Sequence, residues 1–303
     1  MIRFDAISKK FRGRPAVAGV SFEVARGEIF GLLGHNGAGK STTFGIALGH
    51  VHADAGRVTI HGHDVSTSRA AALARVGAIF ETPAFYDYLS GWRNLRFFVS
   101  LGGYVSQQRM EEIVRLVGLE ERIHDPVRAY SHGMRQRLAL AQALLPDPEI
   151  VLLDEPTEGL DPAGIHEMRA LILKLRAEHG MTVILSSHIL HEVEQLCDRV
   201  AILRRGSLVF CGRWQDAGPG GSRWKIETPD TEKCAAVLRG LGVAPAPDGS
   251  LELPDALDSA TVVSALVAAG VRVGEFRKLV RTLEDFYLET TACCSSTNFP
   301  ASC

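Results

Sequence analysis

The sequence contains no apolar run long enough to cross a membrane. The best candidate, residues 260–271, is shorter than the roughly 18 residues that a spanning helix requires, and Ser264 interrupts it. The first residues, MIRFDAISKK, also lack the apolar core of a secretory signal. We therefore expect a cytoplasmic protein that reaches the inner face of the membrane only through a partner.

Positive charge is not in excess either. The chain has 33 Lys and Arg residues against 35 Asp and Glu residues, and it shows no basic stripe, so nucleic acid is not an expected partner. Its 303 residues have an ordinary globular composition. That length is sufficient for one large domain and a small one.

The cysteines show no metal-binding spacing. Cys197, Cys211 and Cys234 are scattered, and we expect them to be ordinary buried thiols. The other three stand in the C-terminal stretch TACCSSTNFPASC, where no His or acidic residue accompanies them. A zinc site is therefore not predicted.

The periodicity of the chain predicts an α/β fold. The stretches IRFDAIS and VSFEV alternate as strands do, and the apolar run IFGLL fits a buried parallel strand. EIVLLDEP, a helix over 165–178 and MTVILSSH predict a βαβ unit, whereas 83–145 has mainly helical spacing. The first domain is predicted over 1–213.

A Gly- and Pro-rich stretch separates this domain from the rest of the chain. We predict a linker over 214–222, because QDAGPGGS has the composition of a loop. A small α+β domain is predicted over 223–290, ending in a helix over 282–290. Residues 291–303 are expected to form a flexible tail.

The stretch GHNGAGKST matches the phosphate-binding pattern G-x-x-x-x-G-K-[ST] between a predicted strand and a predicted helix. Its glycines allow a tight turn whose N–H groups point inward, and the helix N-terminus favours an anion. Lys40 is expected to reach the β- and γ-phosphates, and the Ser41 hydroxyl is expected to bind Mg²⁺. The predicted nucleotide-binding residues here are Gly34, Asn36, Gly37, Ala38, Gly39, Lys40, Ser41 and Thr42.

Two acidic residues end the apolar run IVLLDEP. Adjacent carboxylates at such a place are costly unless they serve a cation or a proton. Asp154 suits Mg²⁺, either directly or through water. Glu155 is expected to orient and deprotonate an attacking water molecule. ATP and Mg²⁺ are thus the expected cofactors.

Five stretches stand in a characteristic order: GHNGAGKST, YSHGMRQR, LLDEP, EGLD and SSH. Together they resemble the ATPase subunits of ATP-binding cassette (ABC) transporters, over about residues 1–213. The resemblance implies a P-loop NTPase cassette: a RecA-like core, an antiparallel β subdomain and a helical subdomain over about 83–145.

The same resemblance implies roles for residues outside the phosphate loop. In YSHGM, the signature motif, Ser131 and Gly133 would contact the γ-phosphate of a nucleotide held by a second subunit. Asp161 would cross the dimer interface, His188 would read the γ-phosphate, and Phe11 would stack on adenine. A homodimer is the first expectation, and pairing with a related second cassette stays open.

The chain departs from the commoner family pattern at two places. His132 and Met134 stand in the signature where Gly and Gln are more usual. Glu81 replaces the usual Gln at a strand end, where the family senses Mg²⁺ and water and couples to the membrane subunit. Glu81 is therefore a candidate metal-site residue, and Glu81–Ser90 is the expected contact with a transmembrane permease.

A closer resemblance rests on Glu81, the following PAFY, the YS-x-GM signature and the C-terminal LEDFYLE. These are similar to ATPases of antibiotic-peptide export and self-immunity, of the lantibiotic-immunity and bacitracin-resistance types. The implied function is ATP hydrolysis that powers a membrane exporter of antibiotic peptides or drugs. An importer subunit is an open alternative, and a soluble ABC ATPase outside transport is a weaker one.

Overall fold

The computed structural model describes residues 2–80, 83–103, 105–216, 222–246, 248–254, 257–279 and 282–293. The chain divides into two compact units, one formed by Met1–Arg213 with Tyr287–Cys303 and the other by Trp214–Phe286. Within the described residues, every helix is too short or too polar to cross a bilayer.

The strands and helices of the first unit follow one another along the chain. The strands are β1 (Ile2–Phe11), β2 (Arg14–Val24), β3 (Ile29–Leu33), β4 (Ala55–Ile60), β5 (His63–Asp64), β6 (Val76–Ile79), β7 (Ile150–Asp154), β8 (Thr182–Ser187), β9 (Arg199–Arg204) and β10 (Ser207–Gly212). The helices are α1 (Lys40–Ala47), α2 (Arg69–Leu73), α3 (Gly91–Gly102), α4 (Gln107–Leu116), α5 (His132–Leu144), α6 (Pro162–His179) and α7 (Leu190–Leu196).

A six-stranded sheet forms the centre of this unit, in the order β10-β9-β3-β8-β7-β6. The strands from β9 to β6 run parallel, and only β10 pairs antiparallel with β9. Every residue of β3, β7 and β8 is buried, as expected for parallel strands covered on both faces. Because these three strands run parallel, their carboxyl ends meet at one edge of the sheet.

A second sheet is antiparallel, in the order β2-β1-β4-β5. β1 and β2 are joined by the two-residue turn Arg12-Gly13, and both residues have positive φ, 50° and 79°. Such turns match the twist of a hairpin. The sequence predicted only Val20–Val24 as the second strand, but the hairpin extends this strand back to Arg14.

The predicted βαβ unit is confirmed as β7-α6-β8, and IFGLL is confirmed as β3. Helix α6 starts three residues earlier than predicted, because Asp161 caps it and Pro162 suits the first turn.

One cysteine prediction was wrong. Cys197 and Cys234 are buried free thiols, but Cys211 is disulfide-bonded.

Helix α5 packs directly against strand β6. A Cβ added at Gly77 in β6 would overlap the carbonyl oxygen of Ala143 in α5, which is a backbone atom rather than the end of a flexible side chain. We expect Gly77→Ala to lower the free energy of unfolding by about 1–3 kcal/mol, as overpacking does. The measurement is thermal unfolding, with Gly102→Ala as control because a Cβ there meets open space. A wild-type melting temperature for Gly77→Ala would contradict this packing.

The second unit contains an antiparallel sheet in the order β12-β11-β13, formed by β11 (Ser222–Glu227), β12 (Ser250–Leu253) and β13 (Glu275–Lys278). Its helices are α8 (Thr231–Gly240) and α9 (Ser259–Ala268). Leu238, Leu251 and Val262 lie in its core. The last helix of the chain, α10 (Leu283–Cys293), extends three residues past the predicted end at Thr290.

Candidate nucleotide-binding site

The phosphate loop connects β3 to α1, and its glycines are required by the backbone. Gly39, the residue that caps α1, has φ 110°, and a Cβ there would come within 2.6 Å of the Ala16 carbonyl oxygen. Gly37 has φ 81° and faces open space. The loop therefore turns tightly at the N-terminus of α1, which favours a bound anion.

Lys40 is the first residue of α1 and is 94% buried. Its Nζ donates to the Gly34 carbonyl oxygen at 2.7 Å and lies 3.1 Å from Oε1 of Glu155. A buried ammonium is costly unless it is paired and hydrogen-bonded, and here it is both. These contacts hold the positive charge over the loop.

Asp154 and Glu155 stand where β7 ends, beside Ser186 of β8. The Ser186 hydroxyl donates to Oδ1 of Asp154 at 2.5 Å and accepts from the Glu155 N–H at 3.0 Å. Glu155 has φ 48°, a conformation that is rare outside glycine and is concentrated at functional sites. Sequence reasoning noted SSH but assigned Ser186 no role.

His188 follows β8 and completes a chain of three side chains. Its Nδ1 lies 2.9 Å from Oε2 of Glu155, while Oε1 of the same carboxylate faces Lys40. Both oxygens of Glu155 are thus held, one by each partner. A carboxylate fixed in this way can accept a proton from a water molecule beside it.

A cavity of about 750 Å³ opens at this edge of the sheet. It is lined by Ala16, Asn36, Gly37, Gly39, Lys40, Ser41, Thr42, His132, Gln136, Asp154, Glu155, Glu158 and Gly159. Its size is that of a small-molecule site. Gln136 is buried, and its Oε1 has no hydrogen-bond partner among the described residues. This cavity fits a nucleotide with a hard cation, because it offers a narrow glycine turn, a buried cation, carboxylates and a free acceptor.

Some predicted residues lie elsewhere. Of those that the structure describes, the residues that do not line the cavity are Phe11, Gly34, Ala38, Ser131, Gly133, Asp161 and His188. Phe11 ends β1 and is 49% exposed, with Lys9 Nζ 5.7 Å from its ring centre. Glu81, the candidate metal-site residue, lies outside the described residues.

The signature motif stands at the start of α5. The Ser131 hydroxyl caps this helix by accepting from the Met134 N–H at 3.2 Å. Tyr130, the residue before this cap, is anchored because its hydroxyl donates to the Arg122 carbonyl oxygen at 2.8 Å. Burial of this phenol raises the pKa of Tyr130 to about 12. Asp161 caps α6 in the same way, accepting from the Gly164 N–H at 2.9 Å.

The aromatic residues that follow Pro83 are divided between interior and surface. Phe85 is half-buried and packs edge-on against Phe98 of α3. Tyr88 is 72% exposed and Tyr86 is 41% exposed. Asn94 is fully buried and holds this segment by bonding the backbone N–H and carbonyl of Tyr86 at 2.9 and 3.1 Å.

Sequence reasoning also missed a buried polar pair beside the site. Thr157 donates to the Glu192 carboxylate, and both side chains are more than nine-tenths buried. Glu192 lies on α7, a helix that the sequence did not predict. The pair links the segment after Glu155 to the helix after His188.

The chain is similar to known proteins over much of its length. The family model described as ABC transporter matches residues 17–158. A Bacillus subtilis protein described as the uncharacterized ABC transporter ATP-binding protein YhcH is 41% identical over 293 residues, 96% of each chain. The bacitracin transport ATP-binding protein BcrA of Bacillus licheniformis is 40% identical over 209 residues, 69% of this chain and 68% of that one.

A solved structure is also similar to this chain. It is CbiO1 from Clostridium perfringens, described as part of the ABC transporter complex CbiONQ, with a TM-score of 0.64 and 26% identity. The match covers 70% of this chain and 88% of that one. With the phosphate loop, the acidic strand end and the capped signature helix in place, the chain belongs to the ATP-binding subunits of ABC transporters.

Proposed function

We propose that this chain hydrolyses ATP to power a membrane exporter of antibiotic peptides or drugs. The observation that carries the hydrolytic part is the Glu155 carboxylate held between Lys40 and His188. Support for antibiotic transport comes from the 40% identity to a bacitracin transport ATP-binding protein.

The phosphate loop and Lys40 would bind the phosphates of ATP. The N–H groups of Gly37, Gly39 and Lys40 belong to the turn that opens α1, where a helix N-terminus attracts negative charge. Phosphate oxygens entering the loop would compete with Glu155 for the Lys40 ammonium. Ser41 and Asp154 would hold Mg²⁺, which would offset phosphate charge.

Glu155 would act as the general base. Its carboxylate would take a proton from the water that attacks the terminal phosphate, giving ADP and phosphate. His188, on the other oxygen of Glu155, would keep the carboxylate in place and contact the γ-phosphate. The Ser186 hydroxyl, which accepts from the Glu155 N–H, would support the strained backbone of Glu155.

A second copy of the chain would complete the site. Ser131, Gly133 and Asp161 do not line the cavity of their own chain. We assign them to the nucleotide of the partner copy, with Ser131 at an anion-favouring helix N-terminus. Phe11 would stack on the adenine held by its own chain.

The segment Glu81–Ser90 would bind the membrane permease. Tyr86 and Tyr88 expose much of their rings, and Tyr86 packs edge-on against Phe97 of α3 with ring centres 5.1 Å apart. Aromatic residues are enriched at protein interfaces. Docking there would hold the ATPase at the inner face of the membrane.

The direction of transport can be measured in vesicles. The tagged chain is purified from membranes with the hydrophobic protein that accompanies it, and the complex is studied in inside-out vesicles with labelled bacitracin as the probe. An exporter accumulates the probe when ATP and Mg²⁺ are added outside. ATP-dependent uptake seen only in right-side-out vesicles that contain ATP would instead show an importer.

Glu81 is expected to couple hydrolysis to transport. Glu81→Ala should reduce transport more than it weakens ATP binding, because it removes the oxygen ligand offered to Mg²⁺ or water. Glu81→Gln keeps the shape and one acceptor oxygen, so its effect should be mild. The ATPase rate and probe transport of the complex are measured together. If Glu81→Ala leaves both at the wild-type level, Glu81 is only a surface acid.

A further inference from the structure

The signature motif and the EGLD segment (Glu158–Asp161) touch each other within one chain. Nε2 of His132 lies 3.0 Å from the Glu158 carbonyl oxygen. A carbonyl only accepts, so Nε2 carries the hydrogen and donates it. Gly159 has φ 74°, and a Cβ there would lie 3.3 Å from the same Nε2. The imidazole thus rests directly on the backbone of the EGLD segment.

Two further contacts join the same elements. A Cβ at Gly133 would lie 3.7 Å from Cδ2 of Leu160, which places that side chain beside the signature. Arg137 of α5 donates to Glu167 of α6 at 2.6 Å. This ion pair is partly exposed and contributes little by itself. The bond from His132 is therefore the polar contact between these elements that lies within the signature motif itself.

His132 lies between two residues assigned to the partner's nucleotide. Ser131 directly precedes it and caps α5. Asp161 ends the EGLD segment and caps α6. The segment is also tied to the catalytic strand end, because the Glu158 N–H donates to the Glu155 carbonyl oxygen at 3.1 Å. His132 thus makes one of the contacts that set the distance between Ser131 and Asp161.

We propose that His132 is a positioning residue that holds Ser131 and Asp161 in register, so that both reach the partner copy's ATP together. This inference rests on the proposed shared site. A glycine at this position would have no side-chain donor for the Glu158 carbonyl. His132 also lines the cavity of its own chain, so its effect on the partner's site is measured by comparing two placements of one substitution.

The test places His132→Ala on one side of a mixed dimer. A Lys40→Ala chain paired with a Ser131→Arg chain has one intact site, made of the phosphate loop of the second chain and the signature of the first. His132→Ala on the Lys40→Ala chain should slow hydrolysis about tenfold through misplacement, with an unchanged KM for ATP. The same change on the Ser131→Arg chain removes only a side chain that lines the cavity of the intact site, so it should slow hydrolysis much less.

His132→Gln keeps an N–H donor and should restore most of the rate in the sensitive placement. His132 is exposed, so His132→Ala should keep the wild-type melting temperature. An equal loss at both placements, a loss only on the Ser131→Arg chain, or no loss at all overturns the inference. A mixture that is inactive before any change at His132 refutes the shared site itself, so the two failures are distinguishable.

Discussion

Replacing Glu155 by Gln is expected to lower the ATPase rate by about 10²-fold or more, because an amide cannot accept the proton of the attacking water. The amide keeps the volume and one acceptor oxygen of the carboxylate. Lys40 loses a charged partner but keeps its bond to the Gly34 carbonyl. ATP binding should therefore persist, and it can be measured beside hydrolysis with a fluorescent ATP analogue.

Two further variants serve as controls for this result. Glu149→Gln removes a carboxylate just before the opposite end of β7, where Glu149 pairs with Arg75, and it should hydrolyse ATP at the wild-type rate. Lys40→Ala should lose ATP binding as well as hydrolysis, because it removes the buried cation of the loop. Near-normal turnover by Glu155→Gln would falsify the assignment of the general base.

Ser131→Arg is expected to abolish hydrolysis although the chain still binds ATP in its own phosphate loop. In the proposed shared site, the bulky cation would fill the place where the partner's γ-phosphate is expected to meet the signature helix. Loss of the cap costs only about 1 kcal/mol, so the variant should fold. ATP binding and ATPase rate are measured on the same sample, together with the melting temperature.

Ser106→Arg provides a matched control for the lost cap. Ser106 caps α4 by accepting from the Arg109 N–H at 3.2 Å, the same distance as in the Ser131 cap. The Ser106→Arg variant should lose a similar amount of stability and keep full ATPase activity. If Ser106→Arg is as inactive as Ser131→Arg, loss of a helix cap rather than loss of a phosphate contact explains both variants.

The sequence predicts well what is encoded locally. The phosphate loop is one contiguous stretch, and its positive-φ glycines follow from the tight turn it must make. The runs IFGLL and IVLL are apolar throughout because both faces of those parallel strands are covered. Lys40, Asp154 and Glu155 follow these runs closely in the chain, so local patterns are sufficient to predict them near the carboxyl ends of buried strands.

The contacts between distant residues were not predictable in the same way. Glu155 meets His188, 33 residues on, because β7 and β8 are neighbours and both end at the same edge. The pairing of Asp154 with Ser186 follows from strand register, which no local pattern determines. The contact between His132 and Glu158 depends on how α5 and α6 pack, so the sequence alone suggested no role for that histidine.

Helix and strand ends were less predictable for a similar reason. Helix α6 begins at Pro162 because the Asp161 side chain accepts a bond from inside the first turn, whereas periodicity detects only the apolar positions further on. Strand β2 is extended by pairing with β1, a contact outside its own sequence. Tertiary packing sets these limits.

The most direct measurement of the shared ATP site is the ATPase rate of Lys40→Ala and Ser131→Arg chains mixed in varying proportions, with differently tagged chains to show that mixed dimers form. Each variant alone damages both sites of its dimer. A mixed dimer concentrates both lesions in one site and leaves the other intact. A shared site predicts activity that rises to a maximum at equal mixing, where mixed dimers are most abundant. A mixture that contains mixed dimers and stays as inactive as either variant alone would contradict it.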